Sequence, residues 1–323
     1  MAVAVPSRLG QIEGAGDVKA LFLKVFAGEV LTAFETQVIL KAKTRQRTIT
    51  SGKSAQFPAT FQASGGYHTP GTEIVGRAIE HNEVVISIDD LLISDVFIAN
   101  IDEAMNHYDV RAPYTTEMGR YLAKFYDANV ARNIFRAANG GALFAGDTGG
   151  SQVVAANART VALDLAGAIW DSKQALEERD VPVDTMTVDC ALLPAQWYLL
   201  AQEPTLILNR DVDGDGSYSK GQFSMVGGVQ VSKSNNLPWG EDHTGVPYTT
   251  PGDPAFIPAD YRVNMTNTVG CVFVESAAAT VQLMGLAMES EYDIRRQGTL
   301  LVGKYAVGHG PLRNKSAVEI AVA

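Results

Sequence analysis

The sequence predicts an α+β fold, and three stretches carry that expectation. Residues 37–88 hold two β-type runs, QVILKAKTRQRTIT and EVVISID, separated by a middle rich in Gly, Ser, Thr and Pro. Residues 115–138 place Met118, Tyr121, Leu122, Phe125, Ala128, Ala131, Ile134 and Phe135 on one face of a helix. At roughly seven turns it is long beside the usual three. β-type runs then return at 268–275, 279–290 and 299–307, and in the final SAVEIAVA.

Residues 1–16 are small, Gly-containing and aperiodic, the text of an arm. From Asp17, residues Val18, Leu21, Phe22, Val25 and Phe26 recur at helical spacing, and Gly28 interrupts before Val30, Leu31 and Phe34. In the 37–88 region, turn signals at Gly65-Gly66 and Pro70-Gly71 predict a long extended hairpin. Between Lys41 and Gln56 there are too few apolar residues for a core of its own, and an isolated two-stranded ribbon is marginal in water. The hairpin is therefore expected to lie on another surface, and a strand edge of this length suits a subunit that embraces its neighbour.

The stretch IDDLLISDVFIANIDEAMNHYDV at 88–110 reads as a strand end and a short helix, Pro113 as a break, and Asn139-Gly140-Gly141 as the stop of the long helix. Residues 140–158 read as a Gly- and Ala-rich connector. Beyond it the text predicts a helix near 159–179, a strand at 185–189, a helix from Pro194, a strand at 228–232 and a surface loop over 234–262. The late strands are expected to rejoin the first half of the chain in one sheet. No internal repeat or heptad pattern is present.

With 323 residues, 46% hydrophobic and 19% charged, the chain has ordinary means for one large or two modest domains. It shows no cationic start leading into a sustained apolar run, and no stretch approaches the roughly 18 apolar residues of a membrane span, so a cytoplasmic protein is expected. Cys190 and Cys271 lie in apolar surroundings, as buried thiols do. A formal net charge of -10 argues against wrapping nucleic acid, which needs a cationic face, but not against enclosing it.

Motifs of chemistry fail one by one. SGKS at 51–54 resembles the end of a phosphate-binding loop, yet the first glycine of that pattern falls on Arg47, and β-type text flanks it where a helix is needed. Asp211-Val212-Asp213-Gly214-Asp215-Gly216 has the spacing of a calcium loop, with Asp211, Asp213 and Asp215 as candidate ligands. Gln222 stands where the bidentate Glu belongs, so an acidic solvated turn is the favoured reading. The five histidines show no metal-ligand spacing, and no nucleophile elbow or dinucleotide fingerprint occurs. The basic run Lys41, Lys43, Arg45 and Arg47 alternates, so on a strand these side chains share one face. That face suits acidic residues of an adjacent subunit, with nucleic acid as the other reading.

Four stretches resemble the major capsid proteins of autographivirus-type podophages, the short-tailed bacteriophages. They are LFLKVFAGEVLTAF at 21–34, SGKSAQFP at 51–58, IDEAMNHYDVR at 101–111 and GKYAVGHGPLR at 303–313. The resemblance implies the tailed-phage capsid fold, shared with herpesviruses and encapsulins. Its parts would be an N-terminal arm and short helix (1–40), an extended loop (41–85), a peripheral domain (86–155) with its spine helix at 115–138, an axial domain (156–262), and return strands completing the peripheral domain (263–323).

The implied function is structural: a non-enzymatic subunit, without cofactors, that forms pentamers and hexamers of an icosahedral capsid. Implied partners are further copies of itself, a scaffolding protein and a portal protein. Double-stranded DNA would be enclosed without sequence-specific binding, and no membrane is involved. The location would be the virion capsid, assembled in the bacterial host cytoplasm. Candidate subunit-contact residues are Lys41, Lys43, Arg45, Arg47, Lys53 and Phe57, with no crosslinking role expected of Lys53. The competing readings are an encapsulin-like shell and a calcium- or glycan-binding surface module built on the 211–222 and 234–262 loops.

Overall fold

The computed structural model describes residues 38–101, 111–203, 225–245 and 257–323. The helical text at 17–34, the short helix expected near 102–110 and the acidic turn at 211–216 lie outside the described residues. The chain forms two compact units, one built from Asp90–Tyr126 and Leu283–Val307, the other from Ile39–Asp89, Asp127–Gln282 and Gly308–Ala323.

The larger unit is organised by a six-stranded sheet. In chain order its strands are β5 (Ser151–Val154), β6 (Val188–Leu192), β7 (Met225–Val226), β8 (Val229–Lys233), β9 (Thr268–Val274) and β12 (Ala317–Ala321), arranged β5-β12-β9-β6-β8-β7. Every residue of β6, β9 and β12 is buried, the pattern of strands covered on both faces.

On one face Val188, Cys190, Leu192, Val272, Val274, Val318 and Ile320 pack with Leu165, Ile169 and Leu176 of helix α2 (Ala162–Glu177) and with Trp197 and Leu200 of α3 (Pro194–Gln202). α3 begins on Pro194, a residue that loses no hydrogen bond at a helix start. On the opposite face Glu319 of β12 accepts hydrogen bonds from Asn139 Nδ2 (2.7 Å), Gln152 Nε2 (3.3 Å) and Thr268 Oγ1 (2.6 Å). One buried carboxylate thereby joins β5, β9 and the residue that ends helix α1 (Arg111–Ala138).

The hairpin is present as β2 (Ser54–Thr60) paired antiparallel with β3 (His81–Ser87), in register from Ser54↔Ser87 to Thr60↔His81. Its root lies on another part of the same chain: Ala55, Phe57 and Ile86 pack with Ala279 and Val281 of β10 (Ala278–Asp293). β1 (Arg45–Thr48) does not belong to the ribbon and runs parallel to the start of β10, from Arg45↔Ala279 to Thr48↔Gln282.

In the smaller unit, β4 (Leu92–Ala99) pairs antiparallel with β11 (Gly298–Pro311), and Ile98, Met118 and Leu301 close a small core.

Three sequence expectations are corrected. The described part of the long helix runs Arg111–Ala138 and includes Pro113, which is therefore not a break before it. The connector at 140–158 contains β5, which pairs parallel with β12. The late strands also divide. β10 pairs with β1 and β11 with β4, as a return to the first half requires, whereas β9 and β12 belong to the six-stranded sheet. A run as continuously apolar as TVGCVFV needs two covered faces, and only a central position supplies them.

Candidate assembly surfaces

The hairpin is fixed at its root and open beyond it. The ladder closes inward with Ile88 N donating to Lys53 O (2.7 Å) and outward with Phe61 N donating to Glu80 O (2.9 Å). On β11, Gly308 lies so close to the returning strand that an added Cβ would meet Ser87 O at 1.9 Å. Just past that strand, Tyr261 donates its hydroxyl to the Asp89 carboxylate and accepts from His309 N (3.1 Å). Further out, Phe61 meets Phe144 at 5.2 Å between ring centroids, and Asn82 Nδ2 donates to Leu143 O (3.0 Å).

Residues 62–79 form no strand and are exposed throughout. They present Tyr67, Ile74 and Val75 fully or nearly fully to solvent, at 109, 79 and 78% exposure. These three large apolar side chains stand on a segment without a core of its own.

His309 is buried and neutral, its imidazole 3.0 Å from Thr280 Oγ1 through Nδ1, and burial holds its pKa down to about 3. Below the ordinary value of 6.5 the unfolded chain takes up this proton while the folded chain refuses it, so stability falls with pH from about 6.5 towards 3. Denaturant unfolding at pH 7 and pH 5 should show this acid penalty, and His309→Gln, which cannot titrate, should show a smaller one. Equal pH dependence in both chains would exclude His309 as its source.

The six expected contact residues take different positions. Lys41 and Lys43 fall in a 3-10 turn, so the four bases do not share one strand face. Lys41 is exposed, whereas Lys43 is ion-paired with buried Asp189 of β6 and is committed within the chain. Phe57 is only 6% exposed and packs mainly in the hairpin-root core, with its remaining surface lining a groove beside β1. Lys53 is exposed in the turn before β2, where Gly52 has φ +107° and a strand follows, as a β-hairpin and not a phosphate loop requires.

Arg45 and Arg47 are both exposed on β1. Arg47 is held by a hydrogen bond to Gln56 O and by the Phe57 ring, 5.4 Å from its guanidinium. They line one wall of a groove of about 550 Å³ whose other wall carries Arg313 and Lys315, with Asp180 as its one acid. The calcium candidates Asp211, Asp213 and Asp215 lie outside the described residues.

Several structural residues were not singled out from sequence. Asp127, buried in the long helix, accepts from Ile39 N, Leu40 N and Asn236 Nδ2, each at 3.2 Å. Burial raises its pKa, and these three hydrogen bonds oppose the rise. Cys190 and Cys271, by contrast, were expected from sequence to be buried thiols; both are free and buried, and burial pushes Cys190 up to about 12.

A root-clamped hairpin, a long helix and a two-sided sheet define a class: the shell-forming subunit of the tailed-phage capsid fold. The capsid structure of cyanophage P-SCSP1u matches at TM-score 0.78 and 40% identity over 100% of this chain and 99% of that one. The mature capsid of bacteriophage PhiM1 matches in fold at TM-score 0.73, with 18% identity over 93% and 92%. The family model described as Gp10A-like, major capsid protein, matches residues 56–321.

The major capsid protein of Escherichia phage T7 is 34% identical over 330 residues, covering 95% of this chain and 93% of the T7 protein. That of Enterobacteria phage T3 is 32% identical over 340 residues, covering 97% and 94%. The chain belongs to the Gp10A-like major capsid protein family; it is a structural capsid subunit and not an enzyme. These relationships lend no support to a calcium- or glycan-binding module or to an encapsulin-like compartment.

Proposed function

We propose that copies of this chain form pentamers and hexamers around a scaffolding protein in the bacterial cytoplasm, close on a portal protein at one vertex, and enclose double-stranded DNA. In this reading residues 1–40 are the N-terminal arm and short helix, the hairpin is the extended loop, and its outer part lies on the neighbouring subunit. The observation that carries it is the apolar exposure of residues 62–79 beyond a rigid root. Burying side chains of this kind contributes about 1.5–3 kcal/mol each before ordering costs. A closed shell repeats the contact many times, so each copy of it can be weak. The net charge of -10 favours a wall that does not bind the DNA it contains.

The test replaces residues 62–79 with an Asn-Gly turn joining Phe61 to Glu80, which leaves the β2–β3 ladder intact. The trimmed chain should fold and stay soluble, with shell yield, read by sedimentation and electron microscopy, reduced by at least about tenfold, the equivalent of ~1.4 kcal/mol. Normal shells from the trimmed chain would sink the proposed contact.

A further inference from the structure

The cationic groove at the hairpin root has a complementary face elsewhere on the same chain. Arg45, Arg47 and Arg313 are exposed around it and make no ion pair with a described residue, while Phe57, Pro58 and Met186 supply apolar lining. This is an excess of positive charge on a chain whose net charge is -10.

The solvent face of α2 is the reverse. Asp164 and Asp171 within the helix and Glu178 at its C-cap recur every seven residues, about 10.5 Å apart along the axis, and all three are exposed. Lys173, the one base inside the helix, is turned to Gly227 O. Gly167, with open space around it, leaves the middle of the face low. Trp170 stands beside Asp171 with 57% of its surface exposed; its ring rests on the Gly227-Gly228 turn. Two acids elsewhere are matched within the chain, Glu289 by Lys304 and Asp293 by Arg296.

We propose that the groove of one copy receives the acidic α2 face of a second copy. The groove arginines take Asp164 and Asp171, and Trp170 enters against the apolar lining and a guanidinium. Arginine and tryptophan are the residues that most often dominate such contacts, and a guanidinium over an indole adds to the ion pairs. Two different patches are involved, so the contact is head-to-tail and generates rings when the rotation closes. This proposal rests on the reading of the chain as a shell subunit and names one contact between its copies.

The experiment is a charge swap in the full chain, under conditions in which the unaltered chain forms shells. Arg45→Glu with Arg47→Glu should leave the subunit folded by circular dichroism and lower shell yield at least tenfold. Asp164→Lys with Asp171→Lys should do the same. All four substitutions in one chain should recover at least tenfold over either pair. If the lysines unfold α2, Asp164→Asn with Asp171→Asn replaces them and must still lower the yield.

Normal shells from either pair, or no recovery in the four-fold chain, would overturn the proposal. So would shells of normal yield from the Arg45→Glu, Arg47→Glu chain that retain less nucleic acid, which would make the groove a phosphate-binding surface. If trimming residues 62–79 leaves shells unaffected while the swap behaves as expected, the hairpin contact fails and the groove contact stands; the opposite pattern overturns the groove alone.

Discussion

Gly308→Ala should cost the subunit more than about 3 kcal/mol and abolish shell formation. The position of Ser87 O, 1.9 Å from where the new Cβ must go, leaves no rotamer to choose, because a methyl group has none. The obstacle is backbone, so relief requires that the end of β3 retreat from β11. Ile86 would then leave its packing against Ala279 and Val281, and Asp89 its hydrogen bond from Tyr261. Denaturant titration of the unassembled subunit measures the first effect and sedimentation the second. Gly65→Ala, at a site with nothing within 4 Å, is the control and should be silent in stability. If Gly308→Ala is equally silent, the root is not the rigid clamp described above.

The second large effect is expected at Glu319. Its carboxylate is 3% exposed and takes three donors, so Glu319→Ala leaves a cavity and removes the acceptor from Thr268, Gln152 and Asn139 together. Thr268 is the buried donor of the three, and leaving it without this partner costs about 1–3 kcal/mol, so that with the cavity the total should be about 3 kcal/mol. Glu319→Gln should cost roughly half as much, since its amide oxygen still accepts while its NH2 faces other donors. Chemical unfolding of both variants distinguishes this from a packing role; equal losses would mean that the charge and its donors contribute nothing beyond shape.

Much of the architecture was legible because periodicity survives wherever one face of an element is buried. The helices α2 and α3 and the strand β8 follow from that rule, and Pro194 marked its helix start, whereas β6, buried on both faces, was expected at 185–189 and lies at Val188–Leu192. The hairpin was legible through its turn signals and unusual lack of apolar text. The rule failed where burial is complete. Residues Asp127, Asn129, Arg132 and Asn133 of α1 are all buried, so the polar positions of the last turns do not mark a solvent face. Arg132 shows what that requires: it bonds Asn129 at 2.7 Å, and burial lowers its pKa to about 10.

The candidate surface was half legible. The alternation of Lys41, Lys43, Arg45 and Arg47 marked the right neighbourhood, but a 3-10 turn breaks the period after Lys43, and only Arg45 and Arg47 reach the groove. Arg313 and Lys315 join them from more than 260 residues away, a proximity that no local pattern encodes.

The place of β12 sets the order in which this subunit can be made. In the six-stranded sheet it lies between β9 and β5, so the strand that emerges from the ribosome after all its partners fills a gap among them. Until Ala317–Ala321 arrive, β5 has no neighbour to hold it, Glu319 cannot gather its donors, and β9 has an open edge. Contacts of such wide separation form late and slowly. A nascent chain short of β12 therefore lacks a finished sheet to offer other copies. A fragment that stops short of β12 is thereby kept out of a structure that a single defective member could leave unclosed.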